Sequence, residues 1–265
     1  MPRIRTTTFR KRKEAGEKLT VLTAYDYPTA KLLDENGIDA VLVGDSLGTA
    51  VQGKDDTLSV TMDQMIYHMS MVSRAVENAM VIGDMPFLSY QLGPAEAVRN
   101  AGRFVSEGGA QAVKVEGSVD KFGESIAAIV KTGIPVMAHI GLTPQSVHQI
   151  GGYKVQGRGE QARERLKEEA LGLQQAGCFA IVLELVQTDT AADITEMLTI
   201  PTIGIGSGAH CDGQVLVMHD MLGFGPERSF FKVFGNARQV MEQAFRDYVR
   251  EVKEGTFPTE EMGHK

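Results

Sequence analysis

Short apolar runs recur along the chain at 19–24, 40–43, 80–82, 112–115, 135–138, 179–183, 201–205 and 215–218. Most are rich in Val and Ile, show little polar alternation, and meet Gly, Pro, Asp or Ser at their ends. A strand covered on both faces reads this way, because neither side meets water. Between the runs the period changes. Met62, Met65, Ile66, Met69, Val72 and Val76 fall on one helical face, and Ala97, Val98, Ala101, Phe104 and Val105 do likewise behind Pro94, which suits a first helical turn. Leu166, Ala170 and Leu173 mark a later helix, and Val240, Met241, Ala244, Phe245, Tyr248, Val249 and Val252 a strong closing one. The Met-rich stripe reads as core.

Strand–helix alternation repeated eight times predicts a parallel sheet with covering helices. Eight cycles in 265 residues fit closure into a (β/α)8 TIM barrel, whose usual length is roughly 250 residues. No Gly-x-Gly-x-x-Gly follows the first strand, which removes the usual sign of an open dinucleotide fold. With no linker and no low-complexity segment, residues 1–265 read as a single domain with a short N-terminal helical extension and a C-terminal closing helix.

Composition narrows the classes. The balance of 27 basic and 34 acidic side chains gives a net charge of −7, which repels phosphate backbones and argues against a nucleic-acid partner. The basic arm Arg10, Lys11, Arg12 and Lys13 reads as the solvated start of a helix. Cys178 and Cys211 form neither a disulfide framework nor a metal knot, and Cys178 reads as a small core residue. No run reaches the roughly 18 apolar residues needed to span a bilayer, and no signal peptide is expected, so the cytoplasm is the expected compartment.

The chemistry lies at the strand ends. Asp45 and Ser46 follow the second strand, Asp84 the third, Glu116 the fourth, His139 the fifth and Glu184 the sixth. Barrel enzymes build their sites on this carboxyl face. Lys114 and Glu116 share a strand face, opposite to Val113 and Val115. If the valines pack against helices, Lys114 and Glu116 point to the barrel axis, where a lysine needs acids around it. A structural ion-pair network is one reading and a shared active site the other. Two Asp and a Glu are hard oxygen donors that suit Mg2+ rather than a soft metal.

These residues lie in segments that resemble the ketopantoate hydroxymethyltransferase family. They are Thr23-Ala24-Tyr25-Asp26-Tyr27, Val43-Gly44-Asp45-Ser46-Leu47-Gly48, Val51-Gln52-Gly53, Asp84-Met85-Pro86-Phe87 and Val113-Lys114-Val115-Glu116-Gly117. Further on come His139-Ile140-Gly141-Leu142-Thr143-Pro144-Gln145-Ser146, Gly151-Gly152-Tyr153-Lys154-Val155-Gln156-Gly157-Arg158, Gly204-Ile205-Gly206-Ser207-Gly208 and Asp212-Gly213-Gln214. Together they cover about the first 225 residues in order. The resemblance implies a TIM barrel, a homo-oligomer of the decamer type, and the first committed step of pantothenate synthesis. The implied substrates are 3-methyl-2-oxobutanoate and 5,10-methylenetetrahydrofolate. It further implies Asp45, Asp84 and Glu116 as the magnesium site, Ser46 and Lys114 as oxo-acid-binding residues with Asp45 and Asp84 beside the same ligand, and Glu184 as catalytic base. His139 either hydrogen-bonds the substrate or fills the barrel mouth. The 151–159 stretch is either a closing lid or a surface loop, and 204–208 reads as a tight turn near the folate. Two departures from the family pattern are visible: Leu185 and Val186 follow Glu184 where Cys or a small residue and then a valine or isoleucine before proline are expected, and Ser207 stands where alanine is commoner. Two other readings are another magnesium-dependent enzyme of the phosphoenolpyruvate mutase and isocitrate lyase type, and a barrel that binds an oxo acid without turnover. The lack of a Lys-Lys-Cys-Gly-His segment weighs against the first, and Glu184 against the second.

Overall fold

Eight parallel strands close on themselves in chain order: β1 (Leu19–Thr23), β2 (Ala40–Val43), β3 (Met80–Asp84), β4 (Ala112–Glu116), β5 (Val136–Gly141), β6 (Ala180–Glu184), β7 (Thr202–Ile205) and β8 (Gly213–Leu216). β8 pairs with β1 to complete the barrel. This computed structural model describes residues 3–152, 154–225 and 231–264. It divides into two compact units, Met1–Val217 and Met218–Lys265.

Alternation along the strands sorts the apolar side chains into two layers. Val81, Val113, Val115 and Ile181 join a buried cluster with helix residues such as Met69, Phe104 and Ile126. Leu19, Val21, Met80, Ile82, Ala180 and Val182 belong to a second cluster and fill the barrel interior. At Gly83 a Cβ would come within 2.3 Å of Phe104 and 2.6 Å of Met69. The helices Met62–Ala75 and Pro94–Ser106 therefore approach this strand closely because no side chain stands there. Local signals set the helix starts: the Asp26 side chain accepts from Thr29 N, and Thr61 and Gln64 form a capping box.

Two expectations need correction in detail. The last strand runs over Gly213–Leu216, two residues earlier than the 215–218 run, and Met218 opens a short helix instead. Its start is pinned because Leu19 N donates to Asp212 O at 2.9 Å and Thr202 N to the Asp212 carboxylate at 2.8 Å. The alternation also lacks one helix: residues 206–212 join β7 to β8 directly. Seven residues are too few for a helical crossover, which takes about a dozen.

The basic arm is solvated only in its first half: Arg10 and Lys11 are exposed, whereas Arg12 and Lys13 are partly buried. Phe9, on the helix Thr6–Ala15, is fully buried with the barrel-interior cluster and meets Phe179 edge-on at 5.5 Å. Arg12 pairs with Asp39 at 2.7 Å, and Lys13 with Asp212 at 2.7 Å and with Thr195 O at 2.7 Å. Cys178 is buried as expected, and burial pushes its thiol up to about 12. In the C-terminal unit the helix Ala237–Glu254 forms as expected, but it buries none of its residues. No helix among the described residues is long and apolar enough to cross a membrane.

A buried carboxylate ties the loop before β3. Asp34, near the end of the helix Tyr27–Glu35, accepts from Glu77 N at 3.0 Å, Asn78 N at 3.0 Å, Ala79 N at 2.7 Å and Asn78 Nδ2 at 3.0 Å. Burial alone would raise its pKa, but these donors outweigh it and hold the carboxyl below its usual value. A depressed folded value gives stability that is complete above the unfolded pKa of about 3.9 and is lost as pH falls through the folded one. Asp34→Ala is expected to lower the unfolding free energy by about 2–4 kcal/mol at pH 7. The gap between the urea midpoints of the two proteins should narrow as the pH falls below about 3.9; a constant separation would show that the charge contributes nothing.

Candidate active site

The strand parity that places Met80 and Ile82, Ala112, Met137, and Ala180 and Val182 inside the barrel continues upward. It places Asp84, Lys114 and Glu116, His139 and Glu184 on the same inner face. The interior is thus apolar below and charged at the carboxyl ends. Register sets the neighbours: Asp84 lies opposite Lys114, and Glu116 opposite His139. Asp45 and Ser46 leave β2 in a turn through Gly44, where a Cβ would come within 2.7 Å of Ser46 Oγ.

Lys114 Nζ donates to Asp84 Oδ1 at 2.7 Å and to Glu116 Oε1 at 3.3 Å, all three side chains being at most 5% exposed. The Asp84 Oδ2 accepts from Asp45 N at 3.2 Å. Asp45, Asp84 and Glu116 offer oxygens within 4.8 Å of one another and could hold a metal ion. Burial, with Asp45 and Glu116 adding to it and Lys114 only partly opposing, raises the Asp84 carboxyl to about 8. Burial likewise raises Glu116, against Lys114 and His139. For Lys114 burial acts downward but is outweighed by Asp84, Glu116 and Asp45, so its ammonium is held more firmly than usual. Three carboxyl groups around one lysine cannot all ionise easily in this buried setting, and a hard dication would favour their charged forms. The donor set fits a magnesium-type ion.

His139 links this cluster to Glu184. Its Nε2 lies 2.8 Å from Leu142 O and 3.3 Å from Glu184 Oε2, and its Nδ1 lies 3.4 Å from Glu116 Oε1. Burial lowers its pKa and Lys114 adds to that, but Glu116 and Glu184 together outweigh them and the net shift is upward. Glu184 is less enclosed, its side chain 17% exposed. At Gly141, φ 93°, a Cβ would meet Glu184 O at 2.3 Å, so β5 comes this close only with glycine. Leu185 follows at φ 47°, a left-handed turn that costs a branched side chain about 1–2 kcal/mol. Ser207 supports that turn: its hydroxyl donates to Leu183 O at 2.7 Å and accepts from Val186 N at 3.0 Å. The two departures from the family pattern therefore meet around the exit of β6.

Ser46 stands beside the cluster, its hydroxyl 2.8 Å from that of Tyr25. In the 151–159 stretch Tyr153 lies outside the described residues, while Gln156 is bridged to Val186 and Gly157 O accepts from Thr190 Oγ1 at 3.0 Å. Residues 206–208 turn tightly, with Gly206 at φ 65° and Gly208 at φ 84°. Gln145 and Tyr90 were not among the expected site residues. Gln145 Nε2 donates to Asp45 Oδ2 at 2.9 Å, and Gln145 N to Glu116 Oε2 at 3.1 Å. A polar residue in a loop carries no periodicity; the only hint was its place in the Thr143-Pro144-Gln145-Ser146 segment.

Comparison with known proteins bears on the fold and the family. The solved structure of phosphoenolpyruvate phosphomutase from Streptomyces platensis subsp. rosaceus superimposes with a TM-score of 0.65 at 16% identity, covering 98% of this chain and 92% of that one. A crystal structure of 2,3-dimethylmalate lyase gives 0.62 at 19%, covering 97% and 91%. Both likenesses show the fold alone. The 3-methyl-2-oxobutanoate hydroxymethyltransferase of Clostridium novyi (strain NT) is 56% identical over 257 residues, 96% of this chain and 93% of the relative. That of Geobacter sulfurreducens is 56% identical over 256 residues, 96% and 95%. A family model described as ketopantoate hydroxymethyltransferase matches residues 3–260. With the whole barrel and every strand-end acid inside that match, the chain belongs to the ketopantoate hydroxymethyltransferase family.

Proposed function

We propose that the enzyme transfers a hydroxymethyl group from 5,10-methylenetetrahydrofolate to C3 of 3-methyl-2-oxobutanoate, giving 2-dehydropantoate and tetrahydrofolate with uptake of one water. The observation that carries this reading is a buried carboxylate cluster, joined through His139 to a more accessible Glu184, in a chain 56% identical to relatives bearing that name. Asp45, Asp84 and Glu116 are assigned to hold Mg2+. When bound, the ion supplies Lewis-acid polarisation of the oxo acid's carboxylate and keto oxygens. Lys114 places a fixed positive charge beside the keto oxygen, where negative charge grows as the C3 proton leaves. Ser46 hydrogen-bonds the oxo acid. Glu184 takes the C3 proton, and His139 holds the Glu184 carboxylate through Nε2. The C3 carbanion equivalent then forms a bond to the folate methylene carbon as one of that carbon's two bonds to nitrogen breaks, the hydroxyl of water replaces the second nitrogen, and the two folate nitrogens take up the C3 proton and the remaining proton of the water.

Place in the first committed step of pantothenate synthesis, a cytoplasmic location and a decameric homo-oligomer belong to the same reading. Exposed Val240, Phe245, Tyr248 and Val252 on the C-terminal helix support association of copies. The test is a product assay. Purified protein with 3-methyl-2-oxobutanoate, 5,10-methylenetetrahydrofolate and Mg2+ should form 2-dehydropantoate and tetrahydrofolate in equal amounts, and chelation should stop both. Folate-independent consumption of the oxo acid, or no consumption, would overturn the assignment.

A further inference from the structure

Gln145, in the loop after β5 and 6% exposed, spends the whole hydrogen-bonding capacity of its side-chain amide between the strand ends. Its Nε2 donates to Asp45 Oδ2 at 2.9 Å and to Met85 O at 3.0 Å. Its Oε1 accepts from Tyr90 Oη at 2.8 Å and from Gln91 Nε2 at 3.1 Å. Its backbone N–H donates to Glu116 Oε2 at 3.1 Å. Chemistry dictates which way the amide points. Reversed, its oxygen would face a carboxylate and a carbonyl, and its NH2 would face the NH2 of Gln91. Tyr90 is itself anchored: Glu116 N donates to its hydroxyl at 3.2 Å, and its ring meets Phe122 edge-on at 5.3 Å.

The division of labour is informative. Lys114 ion-pairs with Asp84 and Glu116, both held on strands. Asp45 comes from a turn, and its side chain receives a neutral amide donor instead. Three buried carboxylates repel one another, so the one without strand support needs a restraint. A neutral donor supplies it without cancelling the charge a cation requires, and occupies one oxygen while aiming the other.

We propose that Gln145 is a positioning residue for a divalent cation. It holds Asp45 through its side chain and Glu116 through its backbone N–H, which keeps both carboxylates in the cluster with Asp84, and Tyr90 fixes the amide. This rests on the assignment of the carboxylate cluster as the metal site. The test needs no organic substrate. Mn2+ is titrated into full-length wild type, Gln145→Met and Tyr90→Phe, with free Mn2+ read by electron paramagnetic resonance and folding checked by thermal melts.

Gln145→Met is expected to weaken Mn2+ binding by about 10- to 100-fold, the usual effect of removing a group that orients a metal ligand. Tyr90→Phe should weaken it in the same direction by on the order of fivefold. In turnover assays the Mg2+ activation constant should rise in parallel, while turnover at saturating Mg2+ falls much less. Should Gln145→Met fail to fold, Tyr90→Phe, which deletes a single oxygen, decides the matter. Wild-type affinity in a folded variant, with only the melting temperature lowered, would overturn the positioning role and leave the metal site standing. A wild type that binds no Mn2+ would overturn both. A wild type that binds Mn2+ but forms no hydroxymethyl product would overturn the proposed reaction alone.

Discussion

Replacing Asp45 and Asp84 together by Ala is expected to remove divalent-cation binding and lower turnover by at least about a thousandfold, since metal stabilisation of developing charge is worth several kcal/mol. The double variant is the informative one. It removes two of three clustered ligands and keeps Lys114 3.3 Å from Glu116, so the interior retains one balanced ion pair. A buried lysine without any partner would unfold the protein and teach nothing. Removing Asp45 and Asp84 also relieves the crowding of negative charge that, with burial, raises the Asp84 carboxyl to about 8. The metal-free variant should therefore stay folded, and its melting temperature should stop responding to added Mg2+. Wild type should gain stability by mass action under the same titration. A folded double variant that still turned over in proportion to Mg2+ would remove these residues from the metal site.

Where the sequence was legible, a strong physical constraint stood behind each reading. The barrel showed because strands buried on both faces cannot alternate with polar residues, so 40–43 and 80–82 stand out as unbroken apolar runs. The inward direction of Lys114 and Glu116 followed from the two-residue period and from Val113 and Val115, which pack among the helices. The misreadings have equally physical causes. Arg12 and Lys13 look solvated as a sequence, and only the fold brings Asp39 and Asp212 within 2.7 Å of them. The 215–218 run is apolar, but Asp212 starts the strand earlier, and apolarity does not report register. Gln145 and Tyr90 escaped notice because they act through contacts to residues far along the chain, Asp45 being 100 positions from Gln145.

Glu184→Gln is expected to bind Mg2+ and the oxo acid yet to exchange the C3 proton of 3-methyl-2-oxobutanoate with deuterated water at least about a hundredfold more slowly, the lower bound for loss of a general base. Exchange is followed by proton NMR without folate, so deprotonation is read separately from carbon–carbon bond formation. The structure sharpens the choice of base. Glu184 is outside the group of clustered ligand oxygens found among the described residues, so a cation there leaves its basicity in place. Its neighbour His139 is poorly suited to the same task. The Nε2 of His139 faces two acceptors, Leu142 O at 2.8 Å and Glu184 Oε2 at 3.3 Å, so Nε2 carries a hydrogen and cannot take up another. Its Nδ1 is turned to Glu116 Oε1 at 3.4 Å, which leaves neither ring nitrogen open to a substrate proton. In the proposed reaction His139 orients the carboxylate, and His139→Asn should slow exchange less than Glu184→Gln does. Normal exchange in Glu184→Gln together with its loss in His139→Asn would reverse the two roles.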